Sequence, residues 1–472
     1  MNRGTHQPNQ PRTFEEAIGE TLARHGLSRR AFVGGGAALA GAAAFGAGRP
    51  WSADAQTAEF VFTYWGSPQE QEAVAQMCES FNEANPNIEV RPQYVPNEGY
   101  TEKMTTMLAG GTPPDIAYMD AEQAFDWALQ GKTLDLAPFV AADPESATLL
   151  PDTNYTYEGG TKVLSTSLAI GIMLTYYNKK MFAEAEINVP PSKAAEAWQW
   201  NDFVEVAKRL TKDRDGRNAT DPEFDPDDID VYGVNYQTWW GGYMPFVISN
   251  GGEFASPDGM EFWLNKPEAV EAIQALADLT YVHHVAPTPS QSSSMPATDI
   301  LLRTGKLAID LNGMWKVLDY SQYDDLDWSV GVLPYHKQAM TLRWGIPIVV
   351  SATVSDPAAA YEFYRWRYSP DRIDLYKRGL WMPIQGEYYT DPAKIDSWIN
   401  GNPGTFPPES KDVFIDYALN NATQPPIYSL QNFGQIQNEA VVPGLQAVFA
   451  GEKSAQEAMD EAAGIAVMQG RY

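Results

Sequence analysis

The residues of this chain best suited to chemistry are aromatic rings and carboxylates at the ends of predicted strands. Two short phrases carry them, Trp65-Gly66-Ser67 and Asp120-Ala121-Glu122. A carboxylate accepts strong, charge-assisted hydrogen bonds, and an indole face covers a patch of C–H groups. Together they suit a polyhydroxylated ring, whose faces are apolar and whose rim is polar. Two carboxylates can also work as acid and base in glycoside hydrolysis, which needs them roughly 5–9.5 Å apart across the scissile bond. Other chemistries find little foothold. The chain has no Gly-x-Ser-x-Gly, no phosphate-binding loop and no dinucleotide fingerprint. Its five histidines show no zinc spacing, and the His283-His284 pair offers only two ligands. The loop Asp213-x-Asp215-Gly216-x-Asn218 loosely resembles a calcium loop but lacks the bidentate glutamate. The single cysteine, Cys78, excludes an internal disulfide; it shares one helical face with Val74, Met77 and Phe81, which predicts packing rather than reactivity. No cofactor or metal is expected.

The elements that must position these residues follow from the pattern. Residues 59–65 read as a strand, 69–84 as an amphipathic helix stopped by Asn85-Pro86-Asn87, 88–90 as a strand, 100–109 as a helix ended by Gly110-Gly111, and 115–119 as a strand. That β-α-β-α-β order predicts a parallel sheet covered by helices. Ligands of such sheets sit at the carboxyl ends of the strands, where Trp65, Ser67, Asp120 and Glu122 fall. Further on, 165–178 is a long apolar segment, 201–210 and 356–366 are helices, and 231–234, 307–311, 330–333 and 345–351 are strands. The Trp239-Trp240-Gly241-Gly242 phrase leads into a helix over 243–249. The Pro- and Ser-rich stretch 286–296 reads as a surface loop.

With 472 residues the chain exceeds one ordinary core. Its 61 acidic residues against 33 basic ones give a formal charge of −28. That field repels phosphate backbones and anionic headgroups, so neither nucleic acid nor a lipid surface is an expected partner. A polar leader ends in Ser28-Arg29-Arg30-Ala31-Phe32; an Ala/Gly-rich run and Ala53-Asp54-Ala55 follow, before Gln56. This resembles a twin-arginine export signal with its cleavage site, over residues 1–55. No cysteine follows the apolar run, so no lipid anchor is expected, and an unanchored exported protein points to the periplasm.

Several phrases line up in order with one family. They are Phe81-Asn82-Glu83-Ala84-Asn85-Pro86-Asn87-Ile88-Glu89-Val90, Leu108-Ala109-Gly110-Gly111-Thr112-Pro113-Pro114-Asp115-Ile116, Tyr177-Asn178-Lys179-Lys180-Met181-Phe182, Gly305-Lys306-Leu307-Ala308-Ile309 with Asn312-Gly313-Met314-Trp315, and Val332-Leu333-Pro334. Together the chain resembles the extracellular solute-binding proteins, family 1, of ABC sugar importers, the maltose-binding-protein-like group. The resemblance implies an α/β chain of the type II periplasmic binding fold, two lobes closing on a ligand by hinge bending. On that pattern, one lobe takes 59–170 and 338–382 and the other 171–337 and 383–472. It implies stacking residues at Trp239, Trp240 and Trp315 and a late aromatic at Phe433, with Tyr176 and Trp344 as further candidates. Arg343, Trp344 and Trp381 fall near crossovers, where hinge or core roles compete. The implied function is binding a mono- or oligosaccharide or polyol, without catalysis, as a monomer that delivers it to ABC importer permease subunits. Two alternatives stand beside it. Glycerol 3-phosphate or its diesters would need basic groups, for which Arg343 and Lys316 are available. A secreted carbohydrate-active enzyme would need Asp120 and Glu122 as its carboxylates.

Overall fold

The computed structural model describes residues 57–471 apart from 151, 152, 368, 370, 371 and 373. The export leader expected over residues 1–55 lies outside the described residues. The first sheet begins with β1 (Ala58–Tyr64), which turns Phe60, Phe62 and Tyr64 into the core. At its end Ser67 caps α1 (Pro68–Ala84): the Ser67 hydroxyl accepts the Glu70 N–H at 3.2 Å, and Pro68 is pre-set for the first turn. The stripe Val74, Met77, Cys78 and Phe81 is buried as the spacing predicts, and burial pushes the Cys78 thiol up to about 12. Then come β2 (Ile88–Tyr94), α2 (Tyr100–Ala109), β3 (Ile116–Tyr118) and α3 (Ala121–Leu129). β2 and β3 both pair parallel with β1, as the alternation of strand and helix requires.

A hairpin of β4 (Asn154–Tyr157) and β5 (Lys162–Thr166) leads to β6 (Ile170–Asn178), which is buried at all nine residues. A strand apolar on both faces belongs in a sheet's centre. The second sheet also holds β7 (Lys212–Asp213), β8 (Ile229–Asn235), β9 (Leu307–Gly313), β10 (Trp328–Gly331), β11 (Thr341–Gly345) and β13 (Ala422–Thr423). Three of them, β9, β10 and β11, pair antiparallel with β6.

One expectation changes at the passage between the sheets. The stretch 345–351 is not one strand. Gly345 ends β11 in the second sheet, and β12 (Ile348–Val350) pairs antiparallel with β3 in the first. Pro347, which cannot donate to a ladder, sits in the step between them. The chain therefore steps from the second sheet to the first near residue 346. Gly345 is held from both sides. Its carbonyl accepts the Tyr155 hydroxyl at 2.5 Å and its N–H donates to the Tyr428 hydroxyl at 3.0 Å, with the two rings stacked 4.2 Å apart. The next helix, Pro357–Trp366, packs back on the first sheet, where Phe363 lies edge-on to Phe62 and Phe81 at 5.1 Å each. Contact with the first lobe continues to Ile384, whose carbonyl accepts the Leu150 N–H at 2.7 Å.

Elsewhere, the stretch 286–296 holds a short helix, Pro289–Ser294, closed by a capping box from Thr288 and Gln291. The helix Pro267–Tyr281, with Ile273, Leu276 and Leu279 buried, had no counterpart in the sequence reading. No helix among the described residues is long and apolar enough to cross a membrane.

Candidate functional site

Four tryptophans from distant parts of the chain meet in one cluster. Trp239 and Trp240 follow the carboxyl end of β8, Trp315 follows β9, and Trp344 lies on β11. Ring centroids are 5.0 Å apart for Trp239 and Trp240, 6.1 Å for Trp239 and Trp315, 5.7 Å for Trp239 and Trp344, 5.4 Å for Trp240 and Trp344, and 6.0 Å for Trp315 and Trp344. Most of these pairs are edge-to-face, the geometry that ring quadrupoles favour. Trp239, Trp240 and Trp315 remain half-buried, while Trp344 is buried. Phe433, at the start of the helix Phe433–Ile436, is buried beneath Trp240 at 6.3 Å and Phe254 at 4.9 Å. Two glycines make the arrangement possible. A Cβ on Gly313 would lie 2.0 Å from the Trp315 ring, and one on Gly241 would lie 2.2 Å from Trp239. Each indole lies flat on bare backbone.

The first lobe contributes Glu122, in the first turn of α3. The Trp240 indole N–H lies close enough to favour its charged form, and a Cβ on Gly434 would touch the Glu122 side chain at 2.5 Å. Burial pushes the Glu122 carboxyl up to about 7, helped by the neighbouring Asp120 charge and opposed by the Trp240 indole N–H. Asp120 keeps solvent access, accepts a bond from the Thr101 hydroxyl at 3.0 Å, and is raised by the protein crowded around it.

The other candidates stand apart. Trp65 is half-buried against Tyr100 at 4.8 Å and Tyr118 at 5.4 Å, in its own lobe. Ser67 is occupied as the cap of α1. Tyr176 is a correction: it is fully buried in β6, its hydroxyl donates to the Gly313 carbonyl at 3.0 Å, and its ring packs on Tyr320 at 4.9 Å. It supports the floor under Trp315 instead of facing a ligand. Trp381 is likewise core, 5.6 Å from Tyr118.

Glu70 went unread. The spacing Ser67-x-x-Glu70 is the sign of a capping box, and the Ser67 hydroxyl forms its half by accepting the Glu70 N–H. Glu70 is also buried, and burial with the nearby Asp319 charge from the second lobe pushes its carboxyl up to about 8. Asp319 itself pairs with Lys316 at 2.6 Å. Arg343 donates to the Ala418 carbonyl at 3.1 Å. In the loop at Asp213, the Arg217 guanidinium bonds Asp213 at 2.8 Å and Asp215 at 2.6 Å, so an internal cation sits among the would-be calcium ligands. Among the described residues no group of three or more His, Cys, Asp or Glu side chains is placed to hold a metal ion.

Comparison with known proteins gives one family model, bacterial extracellular solute-binding protein, matching residues 65–372. Among solved structures, an ABC substrate-binding protein from Listeria monocytogenes in complex with cycloalternan superposes with a TM-score of 0.73 at 21% identity, over 87% of this chain and 98% of that one. The acarbose-binding GacH receptor of Streptomyces glaucescens gives 0.69 at 18%, over 86% and 97%. Maltose-bound MalE3 of T. maritima gives 0.68 at 17%, over 86% and 98%. At these identities the likeness speaks for the fold, which is the type II periplasmic binding fold, α/β throughout.

Proposed function

The chain belongs to the bacterial extracellular solute-binding protein family, and from that premise we propose that it binds a sugar in the tryptophan-lined cleft and hands it to the permease of an ABC importer. The single observation that carries the sugar assignment is the meeting of Trp239, Trp240, Trp315 and Trp344 beside Glu122. Indole faces offer flat apolar surface for pyranose C–H groups, and the carboxylate accepts from the hydroxyl rim. The bound proteins named above, with cycloalternan, acarbose and maltose, support the same reading. Closure follows from the layout. The stacking residues sit in the second lobe and Glu122 in the first, so a solute touching both draws them together. We place the lobe divide near residues 170, 346 and 385, where the chain steps between sheets. The export reading makes the periplasm its working compartment, with Ser28-Arg29-Arg30-Ala31-Phe32 as the twin-arginine signal.

The phosphate alternative loses support because Lys316 and Arg343 are both engaged within the protein. The hydrolase alternative loses support because the family and the structural neighbours are binding proteins, and because Asp120 and Glu122 belong to one turn of one lobe instead of opposing each other. A thermal-shift screen against mono- and oligosaccharides, polyols and glycerol phosphates tests the proposal. A ligand at a hundred times its dissociation constant adds about 2.7 kcal/mol. A shift with sugars and no release of reducing ends is the expected result; a shift with phosphates alone would overturn it.

A further inference from the structure

Asp310 breaks the pattern of its strand. It is the one charged residue in β9, a strand buried at all seven positions, and none of it reaches solvent. Burying a carboxylate costs free energy unless hydrogen bonds replace the water it leaves, and an apolar residue would fill the same place without that cost. Here three neutral donors replace the water. The Asn235 side-chain amide donates to Oδ1 at 2.7 Å, the Asn312 amide to Oδ2 at 3.0 Å, and the Tyr320 hydroxyl to Oδ2 at 2.5 Å. Among the described residues no lysine or arginine pairs with it. Lys316, over the Tyr320 ring at 5.3 Å, is held by Asp319 at 2.6 Å, and Arg367 packs on the Tyr364 ring beside the first sheet.

Each partner belongs to a segment that carries a tryptophan. Asn235 is the last residue of β8, just before the Trp239-Trp240 turn. Asn312 accepts the Gly313 N–H on its Oδ1 at 2.8 Å, and Gly313 is the bare backbone on which the Trp315 ring lies. Tyr320 closes the short helix that follows Trp315. Its ring packs at 4.9 Å on Tyr176, whose hydroxyl donates to the Gly313 carbonyl at 3.0 Å. Both polar groups of Gly313 are thus held through Asp310. A polar residue set into an apolar strand, with every bond satisfied, marks a place where fixed geometry is needed. Building on the sugar-binding reading, the structure assigns Asp310 as the positioning residue that fixes Trp239 and Trp240 relative to Trp315, and so sets the affinity for sugar without touching it. Stacking faces already in place spare the complex the entropy of ordering them.

Calorimetric titration of the purified full chain with glucose, maltose and acarbose tests this, together with hydrogen exchange at the Gly313 amide, which needs no sugar. Asp310→Asn sets an amide where a carboxylate accepted three bonds. It should weaken sugar binding about tenfold or more, the scale of a buried network that loses its central acceptor, and speed exchange at Gly313 by a similar factor. The double variant Asn235→Asp with Asp310→Asn moves the carboxylate across the same hydrogen bond and leaves an amide oxygen at position 310 for Asn312 and Tyr320. It should restore affinity and exchange to within about threefold of the parent. Val74→Ala, a cavity in the core of the first lobe, should lower the melting temperature and leave both readouts unchanged. Should Asp310→Asn fail to fold, Asn235→Ala, at a half-buried position, takes its place, with a loss of at least about threefold expected. Parent-like affinity and exchange in the single variants, a loss that the double variant does not repair, or equal losses in Val74→Ala would overturn the assignment. If the parent chain binds none of the three sugars, the sugar-binding reading loses its support, while exchange at Gly313 still decides the role of Asp310.

Discussion

Trp240 packs edge-on against Trp239, Trp344 and Phe433, which holds its ring in place before any solute arrives. Losing it removes both a stacking face and the indole N–H that favours the Glu122 carboxylate. Trp240→Ala and Trp315→Ala should each weaken sugar binding by about thirtyfold or more, the scale of roughly 2 kcal/mol seen at buried aromatic anchors. Titration calorimetry checks the loss, and an unchanged far-ultraviolet spectrum checks the fold. Glu70 gives a prediction in pH. Its carboxyl is held up at about 8 in the folded protein, against an ordinary value of 4.5. Between those values the folded chain keeps a proton that the unfolded chain has released, so stability falls as pH rises through that window. Glu70→Gln should flatten the slope, and its melting temperature should gain on the parent protein above about pH 7. Glu122 is singled out in the sequence because it follows a strand's carboxyl end, where ligands of such sheets sit. The sequence hid Glu70, because Ser-x-x-Glu already has a full explanation as a cap. It misread Tyr176, because a tyrosine in an apolar strand gives no sign of which face is covered, and here both are.

At the scale of elements, the strands and helices between residues 59 and 119 were legible because apolar spacing, Pro and Gly agree at their boundaries, whereas α3 and the β4–β5 hairpin were not. The run 345–351 was not, because continuous apolar residues look alike whether they serve one sheet or two. Only pairing with β6 on one side and β3 on the other separates them. The tyrosine clasp on Gly345 follows from that split and was invisible in one dimension, its members lying at 155 and 428. Tyr428→Phe removes the acceptor for the Gly345 N–H while keeping the stack. It should lower the melting temperature by a few degrees at most, consistent with about 1–3 kcal/mol for an orphaned buried donor, and speed hydrogen exchange at Gly345. The turn after β9 offers a second probe. Gly313→Ala sets a methyl group against the Trp315 ring, which is half-exposed and can swing outward. Sugar affinity should fall about tenfold or more, with a cost to stability on the order of 1–3 kcal/mol.

For the whole molecule, the layout of stacking residues on one lobe and a carboxylate on the other makes ligand and closure one event. Small-angle scattering should show the radius of gyration falling when a saturating sugar is added, and Trp240→Ala should abolish that change. The overall architecture was readable because many weak phrases occur in one order along the chain, which no single phrase could establish. What the linear order conceals is that the first sheet is completed by a late arrival. β3 ends at residue 118, yet its outer neighbour β12 begins only at residue 348. During synthesis, the amino-terminal half therefore emerges from the ribosome with one edge of its sheet bare, and bare edges invite pairing with other chains. A nascent chain stalled before residue 348 should be protease-sensitive and dependent on chaperones, and maturation should come abruptly, once the last third has been made.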